Sequence, residues 1–72
     1  MVKTVVKIDG MMCGMCEAHV NDAIRNNFQV RKVKASKRKK EAIVTSEQAL
    51  DVDKMKGVID GTGYTFLSME EQ

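Results

Sequence analysis

Residues 2–8 alternate between apolar and polar side chains, which is the pattern of a half-buried strand. The side predicted to face the core carries Val2, Thr4, Val6 and Ile8. Lysines fall on the opposite side of the same strand. Gly10 is predicted to end this strand, because the periodicity of the chain becomes helical beyond it.

The first helical face is defined by apolar residues three and four positions apart. Its members are Cys16, Val20, Ala23 and Ile24. Asn26 and Asn27 are predicted to end this helix, because asparagine tolerates the left-handed conformation of a helix terminus.

Two β-branched stretches, residues 30–35 and 42–45, flank the polar segment SKRKKE and predict a hairpin with a charged tip. A second helix follows, with Asp51 or a neighbour as its N-cap and the GTG of residues 61–63 at its end. Its apolar face carries Val52, Met55, Val58 and Ile59. Residues 64–69 are predicted to form a last short strand.

The predicted order, β-α-β-β-α-β, is that of the ferredoxin-like α+β fold. Right-handed connections then give a four-stranded antiparallel sheet with both helices on one face. In this topology the loop after the first strand, the hairpin tip and the loop before the last strand emerge at one end. We therefore expect the cysteine segment, SKRKKE and GTGY to share an end of the molecule.

Composition narrows the class of protein. Hydrophobic residues make up 43% and charged residues 31% of the 72 residues, values typical of one small globular domain and not of a disordered chain. No apolar run approaches the roughly 18 residues that span a bilayer, and lysines interrupt the N-terminal segment, unlike a signal peptide. We expect a cytoplasmic protein without membrane insertion, and the initial Met and short length favour a free-standing chain.

The segment GMMCGMCEAHV, residues 10–20, holds both cysteines, three of the six methionines and the only histidine. Cys13 and Cys16 lie where a loop meets a helix start, so their sulfurs can converge on one ion. The first helical turn favours a thiolate at Cys16. Thiolates select soft ions, namely Cu(I), Zn(II) or heavier metals. A structural zinc site needs four ligands, whereas linear Cu(I) needs only two thiolates. A redox couple and a pair of structural thiols remain alternatives.

GMMCGMC resembles the GMxCxxC signature of heavy-metal-associated domains, the small copper chaperones and the amino-terminal metal-binding domains of copper-transporting P-type ATPases. The resemblance extends over nearly the whole chain, since the length, the element order and the late GTGY also fit. It implies that residues 1–72 form a single heavy-metal-associated domain. It further implies that Cys13 and Cys16 are the metal ligands, that Met11 packs beneath the loop, and that Tyr64 lies near the site.

The resulting expectation is a cytoplasmic Cu(I) metallochaperone, not an enzyme. It would deliver copper by thiolate exchange to a similar CxxC site, in a copper-transporting P-type ATPase or a similar acidic metal-binding domain. No paired carboxylates and no Ser/His/Asp set occur at a catalytic spacing. The alternatives are a detoxification binder for Hg(II), Cd(II) or Zn(II), and a thiol–disulfide redox module. We expect a monomer, or a dimer bridged by metal.

Three further side chains offer metal ligands. Met12 and Met15 carry thioethers, although methionine more often fills gaps or lies on a loop surface. His19 follows Cys16 by about one helical turn and offers a nitrogen, or modulates thiolate charge below about pH 6.5. A half-exposed histidine at the edge of an apolar face also needs no special role.

Seven of the 12 Lys and Arg residues lie in RKVKASKRKK, residues 31–40, which contains no acid. Lysines at a sheet edge prevent aggregation between strands. Positive charge beside the metal loop would also attract an acidic partner and orient it. Nucleic acid is not an expected partner, because aromatic residues make up 4% of the chain and no helix has a basic face.

Overall fold

The computed structural model describes residues 1–12 and 14–72. Its four strands are β1 (Val2–Asp9), β2 (Lys32–Ser36), β3 (Glu41–Ser46) and β4 (Thr65–Glu71). Its two helices are α1 (Gly14–Asn27) and α2 (Val52–Gly61). The predicted order of elements is confirmed. Neither described helix is long and apolar enough to cross a membrane.

The strands form one sheet in the order β2-β3-β1-β4, and each neighbouring pair is antiparallel. This is the predicted ferredoxin-like arrangement, in which β2 and β4 are the edge strands. The pairing of β1 with β4 shifts register between Lys7 and Ile8. Such a bulge bends the strand locally.

The core lies between one face of the sheet and the apolar faces of the two helices. The helices contribute Val20, Ile24, Met55 and Ile59, and the strands contribute Val6, Ile8, Val33, Ala35, Ala42 and Val44. The predicted core face of β1 is thus confirmed for its central residues. On the predicted apolar face of α2, Val52 is an exception, since it is 47% exposed. It is the first residue of α2 and precedes the turn that packs on the sheet.

Two predicted boundaries are wrong by a few residues, and one cap is confirmed. Strand β2 begins at Lys32 instead of residue 30, and Val30 packs against the core from a loop. Strand β4 extends to Glu71, two residues beyond the prediction. Asp51 caps α2 as expected, because its Oδ1 accepts hydrogen bonds from the backbone N–H groups of Asp53 at 2.9 Å and Lys54 at 3.4 Å.

Three connections meet at one end of the molecule, as the topology predicts. The backbone N–H of Ile8 donates to the carbonyl of Lys40 at 2.9 Å, which ties the end of β1 to the β2–β3 turn. The backbone N–H of Lys37 donates to the carboxylate of Glu17 at 2.7 Å, which ties the same turn to α1. Tyr64, before β4, lies against Gly10. The elements on either side of Cys13 are therefore packed against both other loops.

Candidate metal centre

Gly10 directs the chain out of β1 and into the cysteine segment. Its φ of +101° lies in the left-handed region, which other residues adopt only with strain. Its backbone N–H donates to Asp9 Oδ1 at 3.0 Å. A Cβ placed on Gly10 would lie 3.5 Å from Cδ1 of Tyr64. Glycine is required here by the backbone conformation, and the Tyr64 ring covers the start of the loop.

The three methionines of this segment have different surroundings. Met11 is 7% exposed and belongs to the core cluster, whereas Met12 is 83% and Met15 70% exposed. The prediction that Met11 packs beneath the loop is therefore confirmed. A buried Met11 anchors the segment from below, and the two neighbouring thioethers face outward.

Cys16 lies in the first turn of α1, where its side chain is partly buried and packs against the core cluster. Helix N-termini present backbone N–H groups that stabilise a thiolate. Cys13, the other predicted ligand, lies outside the described residues, so the assignment of both cysteines as ligands stays a prediction. Within residues 1–12 and 14–72, no group of three His, Cys, Asp or Glu side chains is arranged to hold a metal ion.

Tyr64 links the start of the loop to the middle of α1. Its hydroxyl lies 3.5 Å from Nδ1 of His19, at the outer limit for a hydrogen bond. Tyr64 is partly buried and packs against the core, while His19 is exposed. Tyr64 was expected near the site from the family resemblance. Its contact with His19 was not predicted, because the two residues are 45 positions apart in the chain.

Glu17 is a second feature that the sequence did not single out. It follows Cys16 directly, and its carboxylate holds the backbone of the turn at Lys37. An acid in the first turn of a helix is already explained by its favourable interaction with the helix dipole. The presence of Glu17 therefore did not indicate a contact with the hairpin. Only the predicted topology, which places the start of α1 and the hairpin tip at the same end of the molecule, pointed to a contact between them.

The hairpin tip, residues 37–40, is exposed and uniformly basic. At its base, Lys7 Nζ forms a salt bridge with Glu41 Oε1 at 2.5 Å. The hydrogen bond from Lys7, together with the positive charges of Lys7, Lys39 and Lys3, holds the pKa of the Glu41 carboxyl below its usual value. The acid that follows the tip in the chain, Glu41, is therefore already paired with Lys7, and the four basic side chains of the tip are exposed.

No protein-family model and no curated protein sequence matches the chain. Solved structures do match. A copper-binding domain from HMA7, a P-type ATPase, is 26% identical, with 97% of this chain and 99% of that chain covered and a TM-score of 0.80. Oxidized MerP from Ralstonia metallidurans CH34 is 26% identical, with 93% and 96% covered and a TM-score of 0.78. The CopZ metallochaperone is 24% identical, with 90% and 98% covered and a TM-score of 0.80.

These structures confirm the resemblance first seen in GMMCGMC. The chain has the ferredoxin-like fold of the heavy-metal-associated domains, among which are copper chaperones and the copper-binding domains of P-type ATPases. The match extends over nine-tenths or more of both chains in each of the three comparisons.

Proposed function

We propose that this protein is a cytoplasmic carrier of Cu(I), bound through the thiolates of Cys13 and Cys16. The observation that carries the proposal is the position of Cys16 in the first turn of α1, close to the exposed Met12 and Met15. The same fold occurs in the copper-binding domain of HMA7. Among soft ions, Cu(I) suits two thiolates without further ligands, whereas Zn(II), Cd(II) and Hg(II) are the competing candidates.

Delivery would proceed by exchange of thiolate ligands. A thiolate of the acceptor forms a bond to Cu(I), giving a three-coordinate intermediate, and the bond to Cys13 or Cys16 then breaks. The charge is conserved, because one thiolate enters and one leaves, and copper remains Cu(I). A site of low coordination favours this exchange, since no closed cage has to open. The protein therefore acts as a carrier and not as an enzyme.

The proposed acceptor is a copper-transporting P-type ATPase or a similar acidic metal-binding domain with its own CxxC pair. The basic hairpin tip supports this choice, because it is exposed at the end of the molecule that carries the cysteine segment. Complementary charge raises the rate of encounter and orients the partners more than it raises affinity. The protein would act as a monomer, although thiolates of two copies can share one ion and so bridge a dimer.

Anaerobic titration of Cu(I) against a chromophoric chelator tests the ligand assignment. Cys13→Ser and Cys16→Ser are each expected to compete far less well than the natural chain, because one thiolate cannot complete a linear site. Met15→Leu is the matched control, since it removes an exposed sulfur between the cysteines and retains the side-chain volume. Far-UV circular dichroism establishes that each variant is folded.

Either cysteine variant competing as strongly as the natural chain would refute the two-thiolate site. Parallel titrations with Zn(II), Cd(II) and Hg(II) separate a copper carrier from a detoxification binder by relative affinity. A redox module would instead show a reversible disulfide at cellular potentials and turnover with a dithiol substrate.

Docking through the hairpin tip is tested by charge reversal. Lys37→Glu with Lys39→Glu is expected to slow copper transfer to an acidic CxxC domain, most strongly at low salt, because screening weakens exposed charges. Lys54→Glu with Lys56→Glu changes the net charge equally on α2 and is the control. Equal transfer rates for the two double variants would refute docking at the tip.

A further inference from the structure

The sheet face turned away from the helices carries a second basic surface, separate from the cysteine segment. Cross-strand partners place Lys3 beside Thr45 on β3, and Thr45 beside Lys32 on β2. In the next row of this face, Ile43 stands between Val5 and Lys34. Lys3, Lys32 and Lys34 thus surround Ile43 and Thr45 and line one shallow depression, which we call the lysine face.

The lysines of the lysine face are not engaged in ion pairs with described residues, whereas the neighbouring Lys7 is paired with Glu41. On the other side of β1, the edge strand β4 places Glu70 opposite Val5. The lysines therefore lie toward the β2 edge of this face, and the β4 edge carries the acid Glu70. Beyond Lys34 the lysine face continues into the basic hairpin tip.

The composition of the lysine face favours one kind of anionic partner. Lysine is a compact point charge on a flexible stem, whereas planar, bidentate recognition of a defined carboxylate or phosphate favours arginine. Protein interfaces depend on buried aromatic or arginine anchors, and this face has neither. It has no aromatic ring on which a base would stack. A shallow field of lysines fits a diffuse anionic surface, such as the headgroups of an anionic bilayer.

We propose that the lysine face rests on membrane surfaces containing anionic lipid, by electrostatic attraction and without insertion. In that orientation both helices point away from the bilayer, because they pack on the opposite face of the sheet. The hairpin tip and the flanks of the cysteine segment share one end, so this end lies at the rim, accessible to a membrane-embedded partner. That this orientation would help copper delivery to a transporter rests on the proposed function. Binding of the lysine face to anionic membranes does not.

Vesicle co-sedimentation tests the proposal with metal-free protein, so that it is independent of copper binding. The natural chain is expected to sediment with vesicles of phosphatidylcholine mixed with phosphatidylglycerol at low salt, and to remain in solution with phosphatidylcholine alone. Raising the salt to about 0.5 M should release it, because screening then acts within a few ångströms.

Two matched double variants locate the surface. Lys32→Gln with Lys34→Gln is expected to weaken partition onto the anionic vesicles about thirtyfold, given the contribution of each lysine near such a surface. Lys54→Gln with Lys56→Gln removes the same charge from α2 and should bind as the natural chain does. Circular dichroism checks that all are folded.

Three results would overturn the proposal. The natural chain could remain in solution with anionic vesicles, the two double variants could lose binding equally, or neutral vesicles could bind as well as anionic ones. Binding of an acidic peptide such as polyglutamate, in place of vesicles, would assign the lysine face to a protein partner instead. The variant with both Cys13→Ser and Cys16→Ser should bind the anionic vesicles as the natural chain does. The vesicle test therefore stays valid even if the proposed metal site is refuted.

Discussion

The carboxylate of Glu17 accepts a hydrogen bond from the backbone N–H of Lys37 at 2.7 Å. Glu17 stands one residue after Cys16 on α1, and Lys37 opens the turn between β2 and β3. The bond therefore joins the helix that carries a candidate ligand to the basic hairpin tip. It fixes the position of the tip relative to the start of α1, although 20 positions separate the two residues in the chain.

Glu17→Ala is expected to loosen the hairpin tip and to lower the free energy of unfolding by about 1 kcal/mol, because an anionic acceptor is lost. Hydrogen exchange should show faster exchange of the Lys37 amide, and denaturant unfolding should show the lower stability. Glu17→Gln is the matched control, since its amide oxygen can still accept the bond. If Lys37 exchanges at the same rate in the alanine variant, the bond does not hold the tip.

Met11 and Met12 are adjacent in sequence and opposite in burial, so they form a natural pair for mutation. Met11→Ala should destabilise the fold by about 2–5 kcal/mol, because it leaves a cavity beneath the cysteine segment. Met12→Ala should change stability by less than about 0.5 kcal/mol, as exposed substitutions usually do. Urea unfolding of the two variants gives the comparison directly. Equal stabilities would contradict the buried position of Met11.

The sequence was sufficient to predict the order of elements and the end at which the loops meet. Alternation in β1, the helical periods and the Asp51 cap are local signals, and the topology then follows from general rules of connection. The burial of Met11 could be predicted only from the family resemblance, because Met11, Met12 and Met15 are the same residue type within five positions and the sequence pattern does not separate them.

Features that depend on tertiary contact could not be predicted. The bulge between Lys7 and Ile8 and the Tyr64–His19 contact join distant parts of the chain and have no local pattern. Val30 is β-branched and apolar, so it resembled the start of a strand, yet it reaches the core from a loop. Val52 was predicted to lie on the apolar face of α2, yet it is exposed, because helical periodicity does not show where a helix leaves the sheet.

Substitution by alanine is expected to have opposite effects on stability at Gly10 and at Gly57. Gly10→Ala should destabilise the fold by roughly 1–2 kcal/mol, because φ of +101° is strained for any residue with a Cβ. Gly57 lies inside α2, and a Cβ there would have nothing within 4 Å. Gly57→Ala should therefore stabilise by about 0.5–1 kcal/mol, since alanine is the better helix former. Thermal unfolding of both variants tests the signs, and a stabilising Gly10→Ala would contradict the left-handed conformation.

Acid should weaken the fold through two carboxylates whose pKa values are lowered. Lys7 donates a hydrogen bond to Glu41 and lowers its pKa, and Lys56, followed by the backbone N–H of Phe66, lowers the pKa of Asp60. A carboxyl with a lowered pKa in the folded state binds its proton less tightly than in the unfolded state. Its contribution to stability is complete above the unfolded pKa, about 4 for these groups, and is lost as the pH falls through the folded value.

Glu41→Gln is therefore expected to reduce stability near neutral pH and to flatten its decline as the pH falls below about 5. Lys7→Gln is the matched control, because it keeps the carboxyl and removes the cation that lowers its pKa. The two variants should show the same reduced dependence of the free energy of unfolding on pH, measured by urea unfolding at a series of pH values. A decline in Glu41→Gln parallel to that of the natural chain would show that the Lys7–Glu41 pair does not link folding to protonation.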